Sequence, residues 1–300
     1  MGKNRDKIIL GVIALMLVGG FLFTFAFIYM LGKSTNDIGF GSLSGRLAQV
    51  DIKGVIIDSE DIVRQVKKYQ EDSSVKGLVL RVDSPGGGVA ASQEIYDQLM
   101  KFKDDGKIII VSMGAVAASG GYYVACAADS IVANPGTITG SIGVILSYPV
   151  AEQLMDKVGM KMEVIKSGRL KDVGNYAREA TPEDRKMLQA LIDDTYEQFV
   201  DVVAVSRGME IDLVKRYADG SVFTGRQANE FGLIDKLGTL EDAIVMAGEL
   251  ADLGDDPGVI KERKLKRPFW AAIENLLGVN LSMIIRTGRT WPVLEYIYGY

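Results

Sequence analysis

The chain has 300 residues, 48% of them hydrophobic, and a formal net charge of -5, enough for one large domain or one domain plus an anchor, with no electrostatic case for nucleic acid binding. It contains one cysteine and no histidine. That excludes an intrachain disulfide, a cysteine cluster for a metal, every histidine-ligated metal site, the Ser-His-Asp triad and the Cys-His dyad, so a hydrolase built on this chain takes its base from a carboxylate, a lysine or a terminal amine.

In chain order, residues 8–31 (IILGVIALMLVGGFLFTFAFIYML) carry no charge. As a helix they span roughly 36 Å, more than the roughly 30 Å hydrocarbon core of a bilayer. Lys3, Arg5 and Lys7 precede them. Because positive charge stays in the cytoplasm, residues 1–7 are expected inside, 8–31 as a single-pass anchor, and the remainder outside. A cleaved signal fits less well: its apolar region is about 7–15 residues, and no clear A-x-A site follows here. Residues 32–45 are polar and glycine-rich and read as a linker.

The main domain is expected over residues 46–250. Residues 47–56, 75–84 and 107–114 predict strands. Between them, SEDIVRQVKKYQED and VAASQEIYDQLMKFKDDG predict amphipathic helices, the first opened by a cap residue. A third helix is expected from near Ala118, short strands over 129–135 and 160–168, and a long helix from Thr181, where TPED supplies cap, proline and acidic first turn. The alternation predicts an α/β domain with largely parallel strands.

In such domains ligands bind where strands end and helices begin. Two glycine-rich turns fall at such points: DSPGGG (residues 83–88) after the second strand and GAVAASGGYY (residues 114–123) after the third. Two backbone N–H groups, one from Gly86 or Gly87 and one from Gly120, suit a developing oxyanion, with Ser119 beside them as nucleophile at a helix N-terminus. With no histidine, lysine leads as base. An ordinary lysine has a pKa near 10.4, and burial with few counter-charges lowers it by about 3–5. Lys166 and Lys171, in VIKSGRLKDVG, are the candidates, and spacing alone does not choose between them; Asp172 beside Lys171 counts against that residue if the two pair. Cys126 reads as a small buried residue without an activator, and YYVACAA as core packing.

Residues 251–300 read as a C-terminal amphipathic and apolar extension. The basic run KERKLKR precedes an apolar segment over 268–285 that contains Glu274, which fits a helix on a membrane or in an oligomer interface better than a second span. The final WPVLEYIYGY looks like a sequence that an apolar-preferring peptidase cuts, and it is expected to be able to occupy a substrate groove in its own or a neighbouring subunit.

GAVAASGGYYVACAAD, TITGSIGV (residues 137–144) and IKSGRLKDVG, in that order, resemble the signal peptide peptidase A family; VDSPGGGV and GSVFTGRQANEFGLID (residues 220–235) match further family patterns. The likeness covers roughly residues 49–247. It implies a membrane-anchored bacterial serine peptidase with a Ser-Lys dyad and a ClpP/crotonase-like fold of repeated ββα units. By this resemblance Ser119 matches the nucleophile and Lys171 the general base of the short, single-repeat members. Ser141 matches a serine that hydrogen-bonds the lysine, and Gly87 and Gly120 match the oxyanion donors. It implies apolar peptide substrates such as signal peptide remnants, no cofactor and no metal. It also implies a homo-oligomer, an octamer being the expected count, at the bacterial cell membrane with the peptidase domain extracytoplasmic. Whether both dyad residues act within one protomer stays open. The rival readings are a crotonase-like acyl-CoA enzyme, a related membrane peptidase acting on other membrane proteins or peptides, and a non-catalytic scaffold of the same fold.

Overall fold

The three long strands expected from the sequence lie side by side at the centre of one sheet. A computed structural model describes residues 45–262 and 294–298. In chain order the elements are β1 (Arg46–Lys53), α1 (Glu60–Glu71), β2 (Val75–Ser84), β3 (Gly86–Gly88), α2 (Val89–Asp104), β4 (Ile108–Ala118), α3 (Gly120–Ala125), β5 (Ser130–Ala133) and β6 (Ile138–Gly140). There follow α4 (Glu152–Lys157), a 3-10 turn (Arg169–Asp172), α5 (Pro182–Arg207), α6 (Ile211–Lys215), β7 (Val222–Thr224), α7 (Gly225–Glu230), β8 (Lys236–Leu237), α8 (Leu240–Leu250), β9 (Val259–Lys261) and β10 (Glu295–Ile297). The anchor expected over 8–31 and the apolar segment over 268–285 lie outside the described residues. Among those described, no helix is long and apolar enough to cross a membrane.

The main sheet runs β7-β6-β4-β2-β1-β9, with β5 beside β4 and β8 beside β5. Its pairs are parallel except β6 with β7. Parallel strands need cover on both faces, and the alternation of side chains divides accordingly. Leu78, Leu80, Val82, Ile109 and Val111 point into the larger core, roofed by α1, α2, α3 and α5. Val79 and Ile110 point the other way, against Ala243 and Ala247 of α8. The cap expected at Thr181 closes a full capping box with Asp184, with Pro182 at the first helical position.

One predicted element is absent. Residues 160–168 form no strand, although MKMEV alternates apolar and charged residues. Met160, Met162 and Val164 are 61%, 44% and 41% exposed, so nothing among the described residues covers the apolar side of the alternation. The pattern carries the preference, but among the described residues no sheet edge accepts its backbone groups. The sequence reading also passed over β10. It forms a separate two-stranded sheet, antiparallel to β3, within the segment read as a C-terminal extension.

Candidate active site

The site is built where β2 and β4 end. β2 runs into Pro85 and then Gly86–Gly88, and β4 runs into Ser119 at the start of α3. The register carries Ser84 to Ala117, which brings the two glycine-rich turns together. Gly86 has φ +102, and a Cβ there would collide with the carbonyl oxygen of Tyr296; a Cβ on Gly120 would sit 3.2 Å from the Gly87 nitrogen. Close approach of two bare backbones is therefore what these glycines provide. The backbones of Gly87 and Gly120, the two positions the sequence offers as donors, lie close together.

Ser119 has φ 52 and ψ -117, a conformation a residue with a Cβ adopts only when its surroundings impose it. Two bonds impose it here. The Ser119 amide donates to the Gly140 carbonyl (2.8 Å), and the Ser119 carbonyl accepts from the Tyr123 amide (2.8 Å). Its side chain is 1% exposed overall, and its Oγ is the buried side-chain polar atom with no hydrogen-bond partner among the described residues. A hydroxyl left in that state costs about 1–3 kcal/mol, so it marks a position kept for something other than stability. Ser141 follows β6, which pairs with β4 at Ala118 and Gly140, so it lies beside the nucleophile candidate. It too is buried with positive φ, at 51.

The lysines stand apart from this group. Lys171 lies in the 3-10 turn with its side chain exposed, and among the described residues it makes no side-chain hydrogen bond or ion pair. Lys166 donates to Asp172 (2.6 Å) and to the Arg169 carbonyl (3.0 Å). The pairing feared for Lys171 therefore falls to Lys166. Arg178 completes the cluster, bonding Asp172 (2.9 Å) and Asp184 (2.5 Å). Hydrogen bonds first from Arg178 and then from Lys166 hold the Asp172 carboxyl well below the usual carboxylate range. Within one chain, then, the structure gathers Ser119, Ser141, Gly86, Gly87 and Gly120, and leaves Lys166 and Lys171 on the arm between β6 and α5 without a bond to Ser119.

Cys126 is buried beneath α3, and burial pushes its thiol up to about 12, far from a reactive thiolate. Among the described residues no cluster of acidic or cysteine side chains could hold a metal ion. A cavity of about 710 Å³ opens between β1, α1 and β9, lined by Asp51, Asp58, Asp61, Lys261 and the apolar Ile52 and Ile62. It does not reach Ser119 and shares with the site only Ile56, whose carbonyl accepts from the Gly88 amide.

Comparison with known proteins bears on this arrangement. The model of peptidase family S49 matches residues 101–254, and that of Clp protease matches residues 50–136. The chain belongs to peptidase family S49. It is 46% identical over 212 residues to a putative protease of Synechocystis sp., covering 70% of this chain and 76% of the relative. It is 38% identical over 217 residues to a putative signal peptide peptidase SppA of Enterococcus faecium, covering 68% of this chain and 63% of the relative. The chloroplastic serine protease SPPA of Arabidopsis thaliana is 34% identical over 245 residues, which is 81% of this chain but 36% of that protein. The S49 chain is thus a serine peptidase of the signal peptide peptidase A type, with a Clp-protease-like α/β domain. It spans less than two thirds of the length of the Enterococcus and Arabidopsis relatives.

Proposed function

We propose that this S49 chain is a membrane-anchored serine endopeptidase that hydrolyses short, apolar, extended peptides such as signal peptide remnants, with Ser119 as nucleophile and Lys171 as general base. The observation that carries the reading is Ser119 itself: strained, buried, its hydroxyl unpartnered among the described residues, and set beside the bare backbones of the two glycine-rich turns. In the reaction the Ser119 hydroxyl attacks a peptide carbonyl and gives its proton to the neutral lysine amine. The Gly87 and Gly120 N–H groups hold the oxyanion as it forms. The lysine then protonates the leaving amine, and water releases the acyl group from Ser119. In this reading Ser141, which follows β6, holds the lysine amine by a hydrogen bond.

The position of Lys171 favours a site completed by a second copy. The arm that carries it exposes Val150, Leu154, Val158, Met160, Met162 and Ile165, the last at 96%. Contiguous apolar exposure of this kind marks an interaction surface. In a ring of identical chains each arm lies over its neighbour and carries Lys171 to that neighbour's Ser119, burying the ammonium as a lysine base requires. The octamer expected from the family resemblance fits such a ring. The anchor over 8–31 would hold the ring at the outer face of a bacterial cell membrane, beside its substrates.

The test uses the full chain in detergent, a fluorophosphonate label and a quenched apolar peptide. Wild type should be labelled at Ser119 and should cleave. Lys171→Ala should lose turnover while Lys166→Ala keeps it. Mixing Ser119→Ala with Lys171→Ala chains should restore activity, because some interfaces then pair an intact serine with an intact lysine. Turnover by Lys171→Ala alone would reject the base assignment, and a wild-type chain that neither takes the label nor cleaves would favour a scaffold.

A further inference from the structure

β4 uses two more residues than the strand beside it to reach the site. Val82 of β2 lies opposite Met113, but Ser84, two residues on, lies opposite Ala117, four residues on. A bulge in a parallel pair is uncommon, and bulges gather next to active sites, where they re-aim a side chain. Here the register shows the effect. Had the pairing of Val82 with Met113 continued unbroken, Ser84 would face Ala115, and Ser119 would stand two residues farther from the turn at Gly86–Gly88. At about 3.3 Å per residue that is roughly 6–7 Å. The bulge is therefore what draws Ser119 and Gly120 up to Gly86 and Gly87.

A bulge takes backbone groups out of the ladder, and those groups need partners from elsewhere. Four side chains supply them. From β2, Arg81 donates to the Met113 carbonyl (3.0 Å) and the Ser112 hydroxyl (2.7 Å), and the Asp83 carboxylate accepts from the Val116 amide (3.2 Å). Arg81 and Asp83 share one face of their strand and reach the two ends of the bulge. On the other edge β4 exchanges β5 for β6 at the same place. There the Thr137 hydroxyl donates to the Gly114 carbonyl and the Thr139 hydroxyl to the Ala117 carbonyl, each at 2.7 Å. Both threonines are buried. Gly114 leaves room for the carboxylate, since a Cβ there would sit 2.8 Å from the Cβ and Cγ of Asp83.

We infer that Asp83 and Thr139 are positioning residues for the Ser119 hydroxyl, acting through the β4 bulge rather than by touching substrate, with Arg81 and Thr137 completing the set. The inference rests on Ser119 being the nucleophile and deepens that reading. Thr139 holds Ala117, and the next rung pairs Ala118 with Gly140, whose carbonyl takes the Ser119 amide. Asp83 holds the bulge from the strand that leads into the glycine turn, so one side chain ties both halves of the site. Ser119 keeps its φ of 52 only because its surroundings impose it, and a slackened bulge lets it relax. A displacement of about 1 Å is enough to cost about 10²-fold in rate.

The experiment compares the full chain in detergent with its Asp83→Ala, Asp83→Asn, Thr139→Val and Thr139→Ser variants. It reads the rate of fluorophosphonate labelling at Ser119, kcat and KM on the quenched apolar peptide, and Tm. Asparagine keeps an oxygen for the Val116 amide and serine keeps a hydroxyl for the Ala117 carbonyl, whereas alanine and valine do not. Asp83→Ala and Thr139→Val should slow labelling and kcat by about 10–100-fold at temperatures well below Tm, with KM within about twofold of wild type. Asp83→Asn and Thr139→Ser should stay within about threefold in all three. A side chain that only stabilises the fold would lower Tm and leave the labelling rate of the folded chain unchanged. That result, or conservative variants as slow as the truncated ones, overturns the inference while the peptidase reading stands. Should Asp83→Ala fail to fold, the two Thr139 variants decide alone. A wild-type chain that neither takes the label nor cleaves removes the nucleophile and this inference together.

Discussion

Ile109, Ile110 and Val111 of β4 are fully buried, each facing a core, whereas Met160, Met162 and Ile165 fifty residues later are 61%, 44% and 96% exposed. Both stretches read as strands in the sequence. β4 has β2, β5 and β6 along its edges and helices on its faces, so its apolar residues are sealed on folding. The arm has none of these. The difference separates two settings: the sheet fixes Ser119, Gly87 and Gly120 within one chain, and the arm carries Lys171 among exposed apolar side chains.

The sharpest way to break the comparison is at Ser119. If the sheet exists to hold that hydroxyl, Ser119→Ala should lower kcat/KM by at least about 10⁴-fold. It should do so without lowering Tm, since it removes an unpartnered buried hydroxyl. A variant that keeps activity, or that loses it only by melting, would make Ser119 a packing residue.

Phe199→Ala tests the sheet side as packing. Phe199 is fully buried and touches the rings of Tyr123 and Tyr296 at 5.1 and 4.7 Å. Truncation there should cost about 3–5 kcal/mol, measured by denaturant unfolding. A loss under about 1 kcal/mol would show that this cluster is loosely packed.

These residues also show what the sequence disclosed. Ser119, Gly87 and Gly120 were legible because their signal is local: small residues at successive strand ends, in a chain with no histidine to support other chemistry. The central parallel sheet was legible for the same reason, as hydrophobic runs of strand length. The aromatic cluster of Tyr123, Phe199 and Tyr296 was not. Tyr123 and Phe199 sit far apart in sequence; YYVACAA reads as core and is buried throughout, and nothing in its local pattern shows that the Tyr123 ring stacks on Tyr296. Ile145 gives no periodic signal because it joins β10 through a single isolated bridge to Glu295. The apparent strand over 160–168 failed for the opposite reason, a correct local preference without an edge to join.

The arm side is tested at Ile165. Since the residue is almost fully exposed, Ile165→Asp should change the stability of the isolated domain by no more than about 0.5 kcal/mol. If the arm docks on a second copy, the same substitution should shift sedimentation toward monomer and lower peptidase activity in step. Unchanged assembly would return the arm to the status of a solvated loop and leave Lys171 without a route to Ser119.

The smallest effect concerns what ties the root of the arm to α5. Arg178 bridges Asp172 on the arm and Asp184 in the first turn of the helix, and Lys166 joins from the other side. Both carboxyls are depressed, chiefly by hydrogen bonds from Arg178, so the bridge favours the folded arm at all pH values above the ordinary carboxylate range. It weakens as pH falls through the lowered values, because protonation removes the charge that Arg178 holds. Hydrogen exchange over residues 166–180, corrected for intrinsic rates, should therefore be flat from pH 7 to pH 5 and rise below about pH 4. Arg178→Ala should raise it at pH 7 while exchange in β2 and β4 stays unchanged. Exchange that climbs already between pH 7 and pH 5 would mean that another titrating group holds the arm, and that this bridge is a surface pair of little consequence.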